Sequence, residues 1–176
     1  TLLFEHSDVL EENLLPALVA THSNTSISDA SDLGKILDES MRIVKGWDPE
    51  LRARFIAGHP RIGETKQLSA LSSKEQSGGT SNPTPPEVLE RLRHLNTCYE
   101  HMYPGLRYIT FVNGRSRVQI AKEMEDKLGI PHSLSPDQPP VESLTPIEKD
   151  SKHWLSELER AVDDVGRIAS SRLDRL

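Results

Sequence analysis

The 176-residue chain carries 21 Lys and Arg against 27 Asp and Glu, a formal net charge of −6. This length favours one domain with a core of its own, and the acidic balance argues against phosphate-backbone binding, so no nucleic-acid partner is expected. The single cysteine, Cys98, excludes an internal disulfide and favours a reducing, intracellular compartment. No apolar run approaches the roughly 18 residues of a membrane span, so no membrane partner is expected, and no signal peptide is evident.

Apolar residues recur at helical spacing along most of the chain. The first such stretch contains Pro16, which predicts a kink or break. The third has clear boundary signals, with Asp48 as N-cap before Pro49 and Gly58 at the end. Helices are predicted over residues 8–21, 31–45, 48–58, 85–103 and 115–129, and a long final helix is predicted to begin at Thr145-Pro146.

Three stretches do not fit a helix. The run "LRYITFV", residues 106–112, is dense in β-branched and aromatic residues and predicts a short extended or buried segment. No second run supplies a strand partner. Residues 77–86 and the proline-rich residues 130–146 are predicted to be loops, the latter an insertion. The sequence therefore predicts an all-α fold, a single-domain helical bundle over residues 1–176 with one short extended segment near 106–112.

The stretch "FIAGHPRIGE", residues 55–64, contains the first candidate for chemistry. His59 ends a helix and precedes Pro60, and the residue before a proline is pushed out of helical geometry. An imidazole on such a stiff turn has a fixed direction, which suits a general acid or base with a pKa near neutrality. The alternative is a histidine favoured at a helix C-terminus by the helix dipole alone.

The stretch "SSKEQ", residues 72–76, is the second candidate. Ser72 and Glu75 match a capping box, a pattern that in many proteins does no more than begin a helix. Two glycines follow at once, so this helix is too short to bury much. Its first turn instead offers N–H groups and the side chains of Glu75 and Gln76 to a small polar ligand.

Arg172 is the third candidate, because it lies seven residues after Val165 on the apolar side of the final helix. In that position an arginine can close a pocket over an anion. The alternative is an exposed arginine whose stem lies along the protein surface.

The remaining reactive residue types indicate no metal or cofactor site. None of the seven histidines has the spacing of zinc ligands, and no glycine-rich nucleotide fingerprint is present. His94 and His101, seven residues apart on one predicted helix, fit a solvated face. Cys98 lies within an apolar stripe and is interpreted as a core residue.

Four blocks occur in the order and rough spacing of a known family: "AGHPRIG", "LSSKEQSGG", "LNTCYEHMYPGLRYITFVNGRS" and "VDDVGRIASSRL". Over about residues 10–173 the chain resembles the OHCU decarboxylases, which act on 2-oxo-4-hydroxy-4-carboxy-5-ureidoimidazoline in the oxidation of urate to allantoin. The resemblance implies an all-helical homodimer that forms (S)-allantoin without a cofactor. It leaves a cytoplasmic or peroxisomal location open, since the C-terminal "DRL" is not the peroxisomal S-K-L signal.

The resemblance also implies a set of site residues. His59 matches the family's catalytic histidine, and Glu75 is the second residue expected to act in catalysis. The residues implied to hold or contact the substrate are Pro60, Ser72, Gln76, Tyr108, Ile109, Thr110 and Arg172. Among them, Tyr108 to Thr110 fall where the family offers backbone groups to the substrate ring.

Departures from the family pattern keep two alternatives open. The family usually reads H-P-D-L-A-G, whereas Arg61 and Ile62 follow His59-Pro60 here. The first alternative is a catalytically silent helical interaction module that keeps the family fold. The second is a hydrolase of a ureido compound that uses His59 and Glu75 to activate water.

Overall fold

The computed structural model describes residues 3–22, 30–64 and 84–175. These residues form six α-helices and no strand, which confirms the all-α prediction. The helices are α1 (Leu15–His22), α2 (Ala30–Lys45), α3 (Pro49–Ala57), α4 (Pro86–Met102), α5 (Arg117–Leu128) and α6 (Lys152–Leu173).

The chain enters α1 through a widened π-helical turn at Leu10–Leu14, in which the Leu15 N–H donates to the Leu10 carbonyl. Pro16 follows directly. Its ring would clash with the carbonyl four residues earlier in a regular α-helix, and a wider turn is a common adjustment to such a clash. The predicted disturbance at Pro16 is therefore a local widening, and the helix continues through it.

Most predicted helix boundaries are confirmed by cap geometry. The Asp48 carboxylate accepts from the Leu51 N–H at 2.9 Å, and α3 ends against Gly58. Ser116 and Gln119 form a reciprocal capping box at the start of α5. Gly129, at φ 66°, ends α5 in the left-handed conformation that glycine adopts without strain.

The start of the final helix differs from the prediction, because α6 begins at Lys152 and not at Thr145-Pro146. The Ile147 N–H donates to the Met102 carbonyl at 2.8 Å, which ties this part of the chain to the end of α4. Asp150 has φ 64°, which a right-handed helix does not contain. Ser151 then caps α6 by accepting from the Trp154 N–H.

Helix α6 packs against both α2 and α3, while α4 packs against α5. Trp154 of α6 is completely buried, and its indole N–H donates to the Pro104 carbonyl at 2.9 Å. The other largest apolar side chains of the core come from the π-helical turn and from α3 to α6: Leu14, Phe55, Ile56, Leu92, Leu95, Tyr99, Ile120, Met124 and Leu158. Cys98 is buried among them, as predicted.

Residues 106–112 belong to no helix or ladder, yet they bury Leu106, Tyr108, Ile109 and Val112. The predicted short buried segment is therefore present. The Ile109 carbonyl accepts from Arg160 of α6 at 2.9 Å, which fixes the segment against that helix.

The proline-rich loop (residues 130–146) is irregular apart from a short 3-10 turn at Val141–Ser143. It covers one face of α4. The completely buried Arg91 guanidinium pairs with Glu125 at 2.8 Å and also donates to the Ser135 and Gln138 carbonyls.

The solvated face predicted for His94 and His101 is wrong. Both rings are half-buried beneath the proline-rich loop, and each bonds to one of its carbonyls, at Pro139 (2.8 Å) and Leu144 (3.0 Å). Two histidines to which the sequence assigned no role therefore hold this loop against α4.

Among the helices in the described parts of the chain, none combines the length and apolar character that crossing a membrane demands.

Candidate active site around His59

His59 follows the last turn of α3, and its N–H donates to the Ile56 carbonyl at 3.1 Å. The side chain is only 5% exposed. Its ring packs edge-on against Phe55, with 6.1 Å between centroids, and Phe55 in turn packs against Phe4 at 5.7 Å. The His-Pro turn thus directs an imidazole into the protein, with Pro60 half-buried beside it.

Neither ring nitrogen of His59 makes a hydrogen bond of regular geometry among the described residues, although both nitrogens are buried and the Phe55 backbone weakly favours the protonated ring. A neutral imidazole has one donor and one acceptor, and a buried polar atom without a partner costs free energy. Such atoms concentrate where a ligand or water completes the bonding. The ring nitrogens are therefore candidates for hydrogen bonds to a bound molecule.

Arg172, near the C-terminal end of α6, lies within electrostatic range of His59. The guanidinium is 3% exposed. It donates to the Glu5 carboxylate at 2.7 Å and to the Leu3 carbonyl at 3.2 Å. Arg172 is thus a buried arginine held by an ion pair, and the exposed alternative does not apply.

The surroundings of His59 keep its ring neutral. Burial is the largest effect and lowers the pKa of His59 to about 4; the Glu5 carboxylate acts in the opposite direction, and the Arg172 and Arg107 guanidinium groups lower the pKa further. At neutral pH the imidazole is therefore uncharged, and its pKa lies below the near-neutral value expected from the sequence.

Arg107 ties residues 106–112 to the His-Pro turn. Its guanidinium donates to the His59 carbonyl at 2.5 Å and also to the Ala57 carbonyl. These bonds use carbonyls that the end of α3 leaves without helical partners. The segment that contains Tyr108 to Thr110 is therefore bound, through Arg107, to the turn that contains His59.

An N-terminal segment (residues 3–7) forms the other wall of the site. Gly58 permits its close approach, because a Cβ atom at position 58 would lie 2.9 Å from the Ser7 Cβ. The Ser7 hydroxyl accepts from the Leu10 N–H at 3.2 Å, so Ser7 also begins the first helical turn. The segment is fixed on both sides of Glu5, by Phe4 in the core and by Ser7 against Gly58.

The other predicted site residues fall into two groups. Ser72, Glu75 and Gln76 lie outside the described residues. Tyr108 and Ile109 are buried and Thr110 is half-buried, and burial raises the pKa of Tyr108 to about 12. The Ile109 carbonyl already accepts from Arg160, so the backbone groups of this segment are partly engaged within the protein.

Sequence reasoning missed two charged residues near His59, namely Glu5 and Arg107. Arg107 left a usable signal, since a cation inside the apolar run 106–112 must find partners when the run is buried. Glu5 left none, because the residues around it show no helical periodicity and its partner is 167 positions away.

No group of three or more His, Cys, Asp or Glu side chains positioned to hold a metal ion occurs within residues 3–22, 30–64 and 84–175.

Comparison with known proteins gives the site its context. The family model described as OHCU decarboxylase matches residues 1–137, more than three quarters of the chain. The chain belongs to this family. The match includes His59 and Tyr108 to Thr110 and ends before α6, so it is the geometry that brings Arg172 to His59.

A relative of this family member is the 2-oxo-4-hydroxy-4-carboxy-5-ureidoimidazoline decarboxylase of Halalkalicoccus jeotgali. The two are 26% identical over 133 residues, which is 76% of the present chain. The aligned part spans 62% of the relative, somewhat less than two thirds of its length. These findings confirm the family resemblance seen in the sequence blocks.

Proposed function

We propose that the protein catalyses the decarboxylation of 2-oxo-4-hydroxy-4-carboxy-5-ureidoimidazoline to (S)-allantoin, without a cofactor, in urate breakdown in the cytoplasm or peroxisome. The observation that supports this most is the buried, neutral His59, whose two ring nitrogens make no hydrogen bond of regular geometry among the described residues and which lies in the field of Arg172. Membership in a decarboxylase family supports the reaction class.

The charges around His59 favour a small anion. Among the described residues, three charged groups act on the imidazole, two arginines (Arg107 and Arg172) and one carboxylate (Glu5). The two guanidinium groups complement the carboxylate of the proposed substrate. Arg172 is proposed to face the substrate carboxylate or ring oxygens, because guanidinium groups bind such oxygens in pairs.

The chemistry requires proton control more than bond activation. When the carbon–carbon bond to the carboxylate breaks, CO2 leaves and the electron pair enters the adjacent ring imine, whose nitrogen takes a proton from solvent. The resulting enol then loses its hydroxyl proton, and the neighbouring carbon gains one to give the ring carbonyl of allantoin. His59 is proposed to take the hydroxyl proton and to deliver a proton to one face of that carbon.

The remaining site residues complete this proposal, and three of them lie outside the described ranges. Glu75 is proposed to orient His59 and to act with it, and Ser72 and Gln76 to hold the substrate. Pro60 and the backbone of Tyr108 to Thr110 are proposed to line the ring. A buried site of this kind also excludes water, which strengthens each electrostatic contact.

The substitution His59→Asn tests the proposal. Asparagine keeps a polar side chain but cannot exchange a proton near neutral pH. The rate of CO2 release is expected to fall roughly 100- to 10,000-fold, the usual contribution of a general acid or base. Substrate is generated in place, because it decays spontaneously to racemic allantoin, and the optical activity of the product is recorded along with CO2.

His132→Asn is the matched control, because His132 is an exposed histidine paired with Asp126 and should leave the rate unchanged. If His59→Asn still gave one allantoin enantiomer at the parent rate, the role of His59 would be wrong. Release of ammonia or urea by the parent would instead favour the ureido hydrolase. No turnover at all by the parent would favour the silent interaction module.

A further inference from the structure

We propose that Glu5 is a positioning residue of this site, which fixes the Arg172 guanidinium beside His59. The catalytic meaning of this inference rests on the proposed function. The placement itself rests on contacts between the N-terminal segment, α6 and the His-Pro turn.

The contact between Glu5 and Arg172 is short and mostly buried. The carboxylate oxygen lies 2.7 Å from the guanidinium nitrogen, and the two side chains are 13% and 3% exposed. Charge-assisted hydrogen bonds of this length have a strong directional preference. Because the Leu3 carbonyl accepts from the other terminal nitrogen at 3.2 Å, the plane of the guanidinium is fixed at two points by one segment.

The backbone that carries Glu5 is itself anchored on both sides. Phe4 is 6% exposed and packs edge-on against Phe55, the same ring that contacts His59. Ser7 lies against Gly58, immediately before His59. The carboxylate of Glu5 is therefore held in register with the imidazole by packing that does not depend on the ion pair.

Among the described residues, the charges facing His59 come from three elements: Glu5 from the N-terminal segment, Arg172 from α6 and Arg107 from residues 106–112. Glu5 is the anion among these three. Without its charge, the other two would both act on the imidazole as cations, and Arg172 would lose its 2.7 Å ion pair with Glu5 in a buried environment.

A positioning role predicts a particular kinetic pattern. Glu5 is an anion and so does not itself attract an anionic substrate. Removing its charge leaves the field around Arg172 more positive, so the KM for an anion should not rise. The turnover number should fall, because the guanidinium is no longer held in one direction. A residue with only a structural role would not separate kcat from KM in this way.

The experiment compares Glu5→Gln with Glu12→Gln, an exposed glutamate seven residues further along. Glutamine keeps the size and the acceptor of Glu5 but removes its charge. We expect kcat to fall about tenfold or more in Glu5→Gln, as for loss of a charged hydrogen bond, with KM unchanged or lower. Glu12→Gln should behave as the parent.

A second measurement needs no substrate. In histidine-labelled protein, the His59 ring is titrated by NMR. The midpoint should move to lower pH in Glu5→Gln, because a carboxylate that favours the protonated ring has been removed, and should stay in place in Glu12→Gln. Glu5→Asp, which keeps the charge at shorter reach, should shift the midpoint only slightly and should lower kcat.

The outcomes separate the two proposals. Parent-like kcat together with an unmoved His59 midpoint in Glu5→Gln would overturn the role of Glu5. Should Glu5→Gln fail to fold, Glu5→Asp decides, because undiminished turnover there would overturn the role. Should the parent itself release no CO2, the proposed reaction is wrong, and the NMR midpoint alone then decides whether Glu5 acts on His59.

Discussion

Burial of His59 has a consequence for stability that is separate from catalysis. Its pKa is lowered from 6.5 to about 4 in the folded chain, so between these values the unfolded chain binds a proton that the folded chain does not. The free energy of unfolding therefore decreases as the pH falls from 6.5 to 4, by about 3 kcal/mol in total. Above pH 7 the titration of His59 does not change it.

Replacement of His59 by asparagine should remove this loss. Relative to the parent, the His59→Asn variant is expected to gain stability steadily as the pH is lowered from 7 to 4. Urea unfolding at a series of pH values measures the difference, in which contributions from other groups cancel. A parallel pair of curves for parent and variant would contradict the neutral, buried imidazole.

At the scale of single residues, a site residue can be predicted from the sequence only when its neighbours along the chain determine its environment. His59 was recognisable because Pro60 and Gly58 determine the turn through neighbouring backbone geometry alone. Arg172 was recognisable from its position on an apolar helix face, but its burial was not. Glu5 was beyond reach, since nothing near it in the sequence indicates a partner on α6.

Among the elements, the proline-rich loop depends on Arg91. This arginine of α4 is completely buried and bonds to Glu125 and to two loop carbonyls. Arg91→Met would leave Glu125 as a buried carboxylate without its cation, a change that typically costs 3–5 kcal/mol. Urea unfolding should show a loss of about this size, and amide exchange in residues 133–138 should accelerate.

Two variants make this measurement specific. Arg93→Met, on the exposed side of the same helix, should change the stability little. The double variant Arg91→Met/Glu125→Met should recover part of the loss, since replacing both members of a buried pair by apolar residues is often tolerated. Equal stability of Arg91→Met and Arg93→Met would show that the buried pair does not hold the loop.

The helices themselves were largely predictable, because capping and glycine termination are short-range. Asp48 and Ser116 begin helices because their side chains accept hydrogen bonds from backbone N–H groups, and Gly129 ends a helix because it adopts the left-handed conformation. The start of α6 was not predictable, because the bond from Ile147 to Met102 is a tertiary contact that overrides the helix signal of Pro146. The same holds for His94 and His101, whose partners come from the loop.

At the scale of the whole molecule, a buried polar network joins three helices. The Glu157 carboxylate of α6 accepts from Tyr99 of α4 and from Lys127 of α5, both at 2.8 Å, and from Arg160 one turn further along α6. Burial alone would raise the pKa of Glu157, but the hydrogen bonds and charge of Arg160, with Lys127 and Tyr99, lower it overall. Because Arg160 also holds the Ile109 carbonyl, this network supports the segment behind the His-Pro turn.

The protein as a whole is expected to work without a metal ion. The substrate proposed here has its own electron sink in the ring imine, and the described residues contain no cluster of three or more His, Cys, Asp or Glu side chains placed to hold a metal ion. Activity should therefore survive exhaustive treatment with a chelator followed by gel filtration. A loss that added zinc or magnesium restores would count against the cofactor-free proposal.

The pair formed by Glu5 and Arg172 also has a consequence for the order of events in folding. The two residues are 167 positions apart, so their contact closes a loop that spans nearly the whole described chain. During synthesis, the helices from α1 to α5 are made before Arg172 exists. The Arg172 side of the site is thus expected to be a late feature of the maturing protein, formed more slowly than its helices. A polypeptide interrupted before Arg172 would contain His59 and Arg107 but would lack the cation that α6 contributes to the proposed site.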